Sequence, residues 1–133
     1  MEQFAHDYTN LFNLVTIANT TTDYVNQLQN LCEVDEWMRF FVTERIAGNW
    51  DSYGMGRGKN AYAYKRDAGR WILIPWDIDF VFDSGGNGAT DGLWGGSSDP
   101  NVNRMFDTPA FRRINIAIFA CGFSIFALLY SVQ

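Results

Sequence analysis

Two runs that favour extended backbone, Ala61–Arg66 and Arg70–Pro75, flank Asp67-Ala68-Gly69. Aspartate opens turns by bonding its own backbone, and glycine takes the left-handed backbone a tight reversal needs, so this order predicts a β-hairpin. Alternation puts Tyr62 and Tyr64 on one face and Ile72, Ile74 and Trp76 on another. Upstream lie Gly48-Asn49-Trp50-Asp51 and then Lys59-Asn60; downstream lies Pro75-Trp76-Asp77-Ile78-Asp79-Phe80-Val81-Phe82. A hairpin set between helical segments predicts an α+β fold.

The helical segments follow from caps and periodicity. Asp23 or Thr22 caps a helix that runs to about Leu31, after the loop-favouring run Asn19-Thr20-Thr21-Thr22. Asp35 is expected to cap a second helix over Glu36–Ala47, stopped by Gly48. At 100° per residue Trp37, Met38, Phe41, Val42 and Ile46 form an apolar arc, with Arg39 and Thr43 opposite. Glu44 falls inside the arc and needs either a partner or a displaced pKa. Ser84–Ser98 is glycine-rich and reads as a long loop, and Thr108 with Pro109 opens a last helix. No internal repeat is present.

From Ile114 to Gln133 there is no charged residue, and Arg112 and Arg113 stand just before that segment. A helix over Ile114–Val132 would be about 28 Å long at about 1.5 Å per residue, close to the ~30 Å hydrocarbon core of a bilayer. Two readings stand: a membrane contact through 114–132, or a core helix of a larger domain. Met1–Asn10 is polar and acidic, unlike a secretory leader.

Composition removes several function classes. At 133 residues the chain is one domain or part of one. With 47% apolar and 17% aromatic residues it can bury a core. A net charge of −5 and a pI near 4.6 argue against a nucleic-acid partner. The single histidine, His6, rules out a histidine-rich zinc site. Cys32 and Cys121 have no metal spacing and read as buried thiols.

Four positions carry potential chemistry. Asp51 follows a helix end in a polar loop, where a carboxylate can take the proton of a substrate hydroxyl; its plainer role is a turn aspartate. Asp77 and Asp79 are two apart, and in an extended segment they share a face and can share a hard cation. Trp76, Phe80 and Phe82 around them suggest a buried setting. Asn60 offers an amide oxygen to a metal, and Lys59, Arg57 and Lys65 offer charge to phosphate oxygens. Gly54, Gly56 and Gly58 resemble a phosphate loop only in composition, since no strand precedes them and no helix follows.

Taken in order, Glu44, Asn49 and Asp51, then Lys59-Asn60-Ala61-Tyr62-Ala63-Tyr64, then Pro75-Trp76-Asp77-Ile78-Asp79-Phe80-Val81-Phe82 resemble the CotH kinase family, the spore-coat-protein-H type of atypical protein kinase. Pro109–Arg113 also resembles a segment of that family. The resemblance implies a C-lobe-like part of an atypical kinase fold, with helices around a central hairpin and a metal-binding loop. The chain then divides into a helical or loop segment over 1–33, a core over 34–113 that carries the resemblance, and an apolar helix over 114–133, where the family's final helices are amphipathic. The resemblance also implies phosphoryl transfer from ATP, with Mg2+ or Mn2+, to a protein hydroxyl. Asp51 would be the catalytic base, Lys59 and Asn60 would serve the nucleotide, and Asp77, Asp79 and Asn60 would hold the metal, all in one pocket. The acceptor would be a protein, coat proteins among the candidates, at a spore coat or cell surface. The alternative is a non-catalytic coat or extracellular assembly module. The family's domain is longer, and its nucleotide-binding lobe is expected before Met1. The family's glycine after the last phenylalanine of the motif is Asp83 here.

Overall fold

A computed structural model describes residues 8–55, 58–81, 97–114, 116, 117 and 120. Its hairpin joins β1 (Ala61–Lys65) to β2 (Trp71–Pro75). The Gly69 N–H donates to the Arg66 carbonyl at 3.0 Å and closes the turn. The antiparallel register sets Tyr62 opposite Ile74 and Tyr64 opposite Ile72. Residues directly opposite in an antiparallel pair project to the same side. The tyrosines and isoleucines therefore share one face, not two as alternation within each strand had suggested. Tyr62 and Trp76 meet there with ring centroids 5.7 Å apart. On the other face Leu73 is buried in the core.

Helix α1 (Thr9–Asn19) and α2 (Tyr24–Leu31) form an N-terminal pair. Asp23 precedes α2 in left-handed backbone (φ 49°) and spends its carboxylate on the Asn26 side chain rather than on the helix backbone. The third helix, α3 (Val34–Ile46), starts two residues earlier than expected. Glu33, not Asp35, stands at its cap position. The cause is tertiary: the Glu33 N–H donates to the Trp71 carbonyl at 2.9 Å, which directs the chain into the helix there. Asp35 and Glu36 lie in the first turn, where acids complement the helix dipole. Trp37, Met38, Phe41 and Val42 are buried as the arc predicted, but Ile46 at the helix end is exposed.

An element absent from the sequence reading is α4 (Pro100–Asp107). Asp99 caps it, accepting from the Asn101 N–H at 2.8 Å, and Pro100 occupies the first turn. Val102, Met105 and Phe106 pack into a core with Leu28, Met38 and Phe41. Arg104 fastens α4 to the α1–α2 connection: its guanidinium lies 3.6 Å from the Tyr24 ring centre and donates to the Ala18 and Thr20 carbonyls. The Thr108 hydroxyl donates back to the Arg104 carbonyl at 2.8 Å. Its own carbonyl accepts from the Phe111 and Arg112 N–H groups, so Thr108 ends α4 and begins the helical residues 109–114. Phe111 is fully buried against Tyr24.

Among the described residues no helix is long and apolar enough to cross a membrane. Most of the expected 114–132 helix, and all but Ser97 and Ser98 of the Ser84–Ser98 loop, lie outside the described residues, as do His6, Arg57, Phe82, Asp83 and Cys121. Cys32 is the buried thiol expected of it, and burial pushes its pKa up to about 12.

Candidate functional site

The site begins where α3 stops. Gly48 takes φ 71°, its N–H donates to the Arg45 carbonyl, and the Asn49 N–H reaches back to the Glu44 carbonyl at 2.9 Å. This pair of bonds is a Schellman cap, and it turns the chain sharply so that Asn49 points back at the helix. The Asn49 amide then donates to the Glu44 carboxylate at 2.6 Å. Glu44 thus has the partner its position demanded. Burial nevertheless raises its pKa, and the Asn49 bond only partly offsets this.

The sign of that effect can be checked by titration. A carboxyl whose folded pKa lies above its unfolded value binds more protons in the native state. Stability then falls as pH rises from the ordinary carboxylate range through the raised value. Glu44→Gln keeps an oxygen for Asn49 and removes the buried charge. It is expected to match or exceed the parent's urea midpoint at pH 7 and to flatten the pH dependence between pH 4 and 7. A variant clearly less stable at pH 7 would contradict the assignment.

Two residues beyond Asn49, Asp51 is 4% exposed. Lys59 sits 2.6 Å from its Oδ2. The Asn60 amide donates to the same oxygen at 3.1 Å and to the Asp51 carbonyl at 2.9 Å. Asn60 takes left-handed backbone (φ 60°), which asparagine tolerates better than most residues. Its own carbonyl accepts from the Trp76 N–H at 3.0 Å. One asparagine therefore ties the Asp51 loop to the strand end that leads into Asp77. The Trp50 ring reinforces the link by packing on Phe80 at 5.2 Å. Behind the loop, the Tyr53 hydroxyl donates to Asp99 at 3.1 Å, and burial raises its pKa. Gly54 (φ 97°) lies so close to Phe41 that a Cβ would come within 2.7 Å of the ring.

The structure brings Asp51, Lys59 and Asn60 into direct contact and places Asp77 one residue from the Asn60–Trp76 bond. It corrects two premises about the paired acids. Asp77 and Asp79 are exposed, not buried, and Trp76 beside them is exposed as well. Asp77 has φ 56°, so the segment is not extended there and strand alternation does not align the two carboxylates. Among the described residues no three His, Cys, Asp or Glu side chains converge as metal ligands. Sequence reasoning missed the Tyr53–Asp99 bond, although Asp99-Pro100 is itself a helix-start signal. It also offered Lys59 to phosphate, whereas the structure pairs it with Asp51.

A family model described as CotH kinase protein matches residues 1–120. The chain belongs to this family. The match extends well beyond Val34–Phe82 on both sides. Two fungal proteins are similar to this CotH chain. Over 72 residues it is 29% identical to Invasin CotH3 of Rhizopus delemar, covering 53% of this chain and 12% of that protein. Over 67 residues it is 28% identical to Invasin CotH2 of the same organism, covering 46% and 11%. The CotH chain thus spans a small part of the length of these relatives. No solved structure matches it.

Proposed function

We propose that this CotH chain supplies the acceptor-orienting and metal-holding part of a protein kinase, the C-lobe-like side of the fold, acting on ATP and a protein hydroxyl. The observation that carries this reading is the Asn60 bridge, which joins Asp51 to the Trp76–Asp77 turn. A base and a metal site must serve the same phosphoryl group, and this bridge holds their backbones together. Asp51 orients the acceptor hydroxyl and takes its proton. Lys59 and Asn60 fix that carboxylate in place.

The residues present suit magnesium or manganese. Asp77 and Asp79 expose carboxylates, and Asn60 spends its amide nitrogen on Asp51, which leaves its oxygen as the coordinating atom. Such hard oxygen donors fit an ion that binds through one or two carboxylates plus substrate phosphates. When bound, that ion would neutralise phosphate charge as it does in other kinases. Acidic net charge keeps nucleic acid out of the reading, and the acceptor is a protein.

The test is transfer of label from ATP, with Mg2+ or Mn2+, to an acceptor protein, catalysed by a protein that carries this segment together with a nucleotide-binding lobe. Transfer lost in Asp51→Asn and Asp77→Ala supports the reading; transfer that persists in both refutes it. A second reading, a non-catalytic assembly module at a coat or cell surface, draws on the Asp51 carboxylate's being already held by Lys59 and Asn60. It predicts no transfer from parent or variants in any protein that carries this segment.

A further inference from the structure

The two edges of the hairpin are unequal. The Trp76–Asn60 bond sets 60/76, 62/74 and 64/72 as the hydrogen-bonded pairs of the ribbon. The outward main-chain groups of β2 therefore belong to Trp71, Leu73 and Pro75. Several of these are engaged or absent: the Trp71 carbonyl accepts from the Glu33 N–H and from the Trp37 indole, the Leu73 N–H donates to Glu36 at 3.0 Å, and Pro75 has no N–H. The outward groups of β1 belong to Ala61, Ala63 and Lys65. Among the described residues no strand pairs with them.

An open edge is a template for a further strand unless bulky, charged or proline residues blunt it. Ala61 and Ala63 do not blunt this one, and Ala63 is exposed. Beside the edge, on the face those alanines share, is a cavity of about 230 Å3 walled by Leu14, Trp37, Tyr53 and Leu73. Lys59 lines it at the end nearest Asp51. At the far end Lys65 donates only to the Arg66 and Asp67 carbonyls, and no carboxylate among the described residues pairs with it. Among the described residues no acidic side chain lines the cavity.

We propose that an extended segment of the acceptor protein adds to β1 as a third strand. Its main chain bonds Ala61 and Ala63, an apolar side chain enters the cavity, and an acidic side chain meets Lys65. Main-chain bonds supply the affinity of such an added strand, and pockets for alternate side chains supply its selectivity. In an antiparallel added strand the residue bonded opposite Ala63 projects to the cavity face, and so does the residue two before it, opposite Lys65. The recognised pattern is therefore an apolar and an acidic residue two apart. This docking rests on the kinase reading for its purpose, since it leads a bound chain past Lys59 toward Asp51, but it is measurable without catalysis.

The experiment is fluorescence anisotropy of the full 133-residue chain with a labelled extended peptide carrying glutamate and, two residues on, leucine. The decisive comparison is the same peptide with both of those amides N-methylated. The methylated peptide keeps its side chains and loses the main-chain donors. It should bind at least about tenfold more weakly. Ala63→Pro should weaken the parent peptide similarly, since that N–H takes no part in pairing with β2 and proline is tolerated at strand edges. Lys65→Glu should shift preference to a peptide with lysine in place of glutamate. Asp77→Asn should leave binding unchanged, so docking stands or falls apart from phosphoryl transfer. No binding of the parent peptide, or equal binding of the methylated one, overturns the proposal. So does a dimer of the chain that Ala63→Pro dissociates, which would assign the edge to a second copy.

Discussion

Asp51→Asn is expected to lower phosphoryl transfer by roughly a hundredfold to ten-thousandfold, the range for losing a positioned general base. The substitution is close to isosteric. An asparagine oxygen can still accept from Asn60, so the loop that the Asn60 amide holds at 2.9 Å to the Asp51 carbonyl should persist. What disappears is the negative charge that, in the proposed reaction, takes the acceptor's proton. The fall should appear in kcat, with the KM for ATP little changed, because a base acts in the transition state rather than on nucleotide binding. Lys59 loses its ion-pair partner, but it is half exposed, and a pair with one half-exposed member contributes little to stability. Initial rates with labelled ATP at several acceptor concentrations separate the two constants. Equal kcat in parent and variant would remove Asp51 from the chemistry.

Phe41→Ala is expected to be the most damaging substitution for stability. Phe41 is 2% exposed and meets Phe40, Tyr53 and Phe106 with ring centroids 5.5–5.8 Å away. Those rings come from α3, from the site loop and from α4. Its ring also fills the space above Gly54, where no Cβ would fit. Truncating a buried phenylalanine costs about 3–5 kcal/mol, against a total stability of about 5–15 kcal/mol for a typical domain. The urea midpoint should fall by at least about 1 M, with loss of the near-ultraviolet aromatic signal. A shift below about 0.3 M would mean that the loop and α4 do not depend on this contact.

The parts of the fold with local causes were readable in the amino-acid order. Asp67-Ala68-Gly69 specified the hairpin, Gly48 specified the end of α3, and the odd placement of Glu44 foretold a bonded, buried carboxyl. The parts that escaped depend on partners distant in sequence. The start of α3 is set by the Glu33–Trp71 bond, a contact across the fold. The eight residues of α4 follow a glycine-rich stretch and give only two turns of periodicity, so their pattern was weak although the Asp99-Pro100 start was present. The setting of Asp77 and Asp79 was misjudged because hydrophobic neighbours imply burial only when the backbone carries them inward. Here Asp77 turns left-handed, and Trp76 and Ile78 stay exposed. Within the site, Asp51 and Asn60 were legible as residues. Their contact, and Lys59's use as the Asp51 partner, were not, because Asn60 lies nine positions after Asp51 along a loop and loop paths have no period.

The central claim is that Asp51, Asn60 and the Asp77–Asp79 turn form one site. Manganese titrated into the isotope-labelled chain tests it most directly, since a paramagnetic ion broadens only the amide resonances near it. The account predicts early, selective broadening at Asp77 and Asp79 together with Asp51 and the Asn60 side-chain amide, reversed by excess Mg2+ and absent in Asp77→Asn. Broadening centred on other acids, such as Asp35 or Asp107, with the Asp51 and Asn60 signals left sharp, would contradict it.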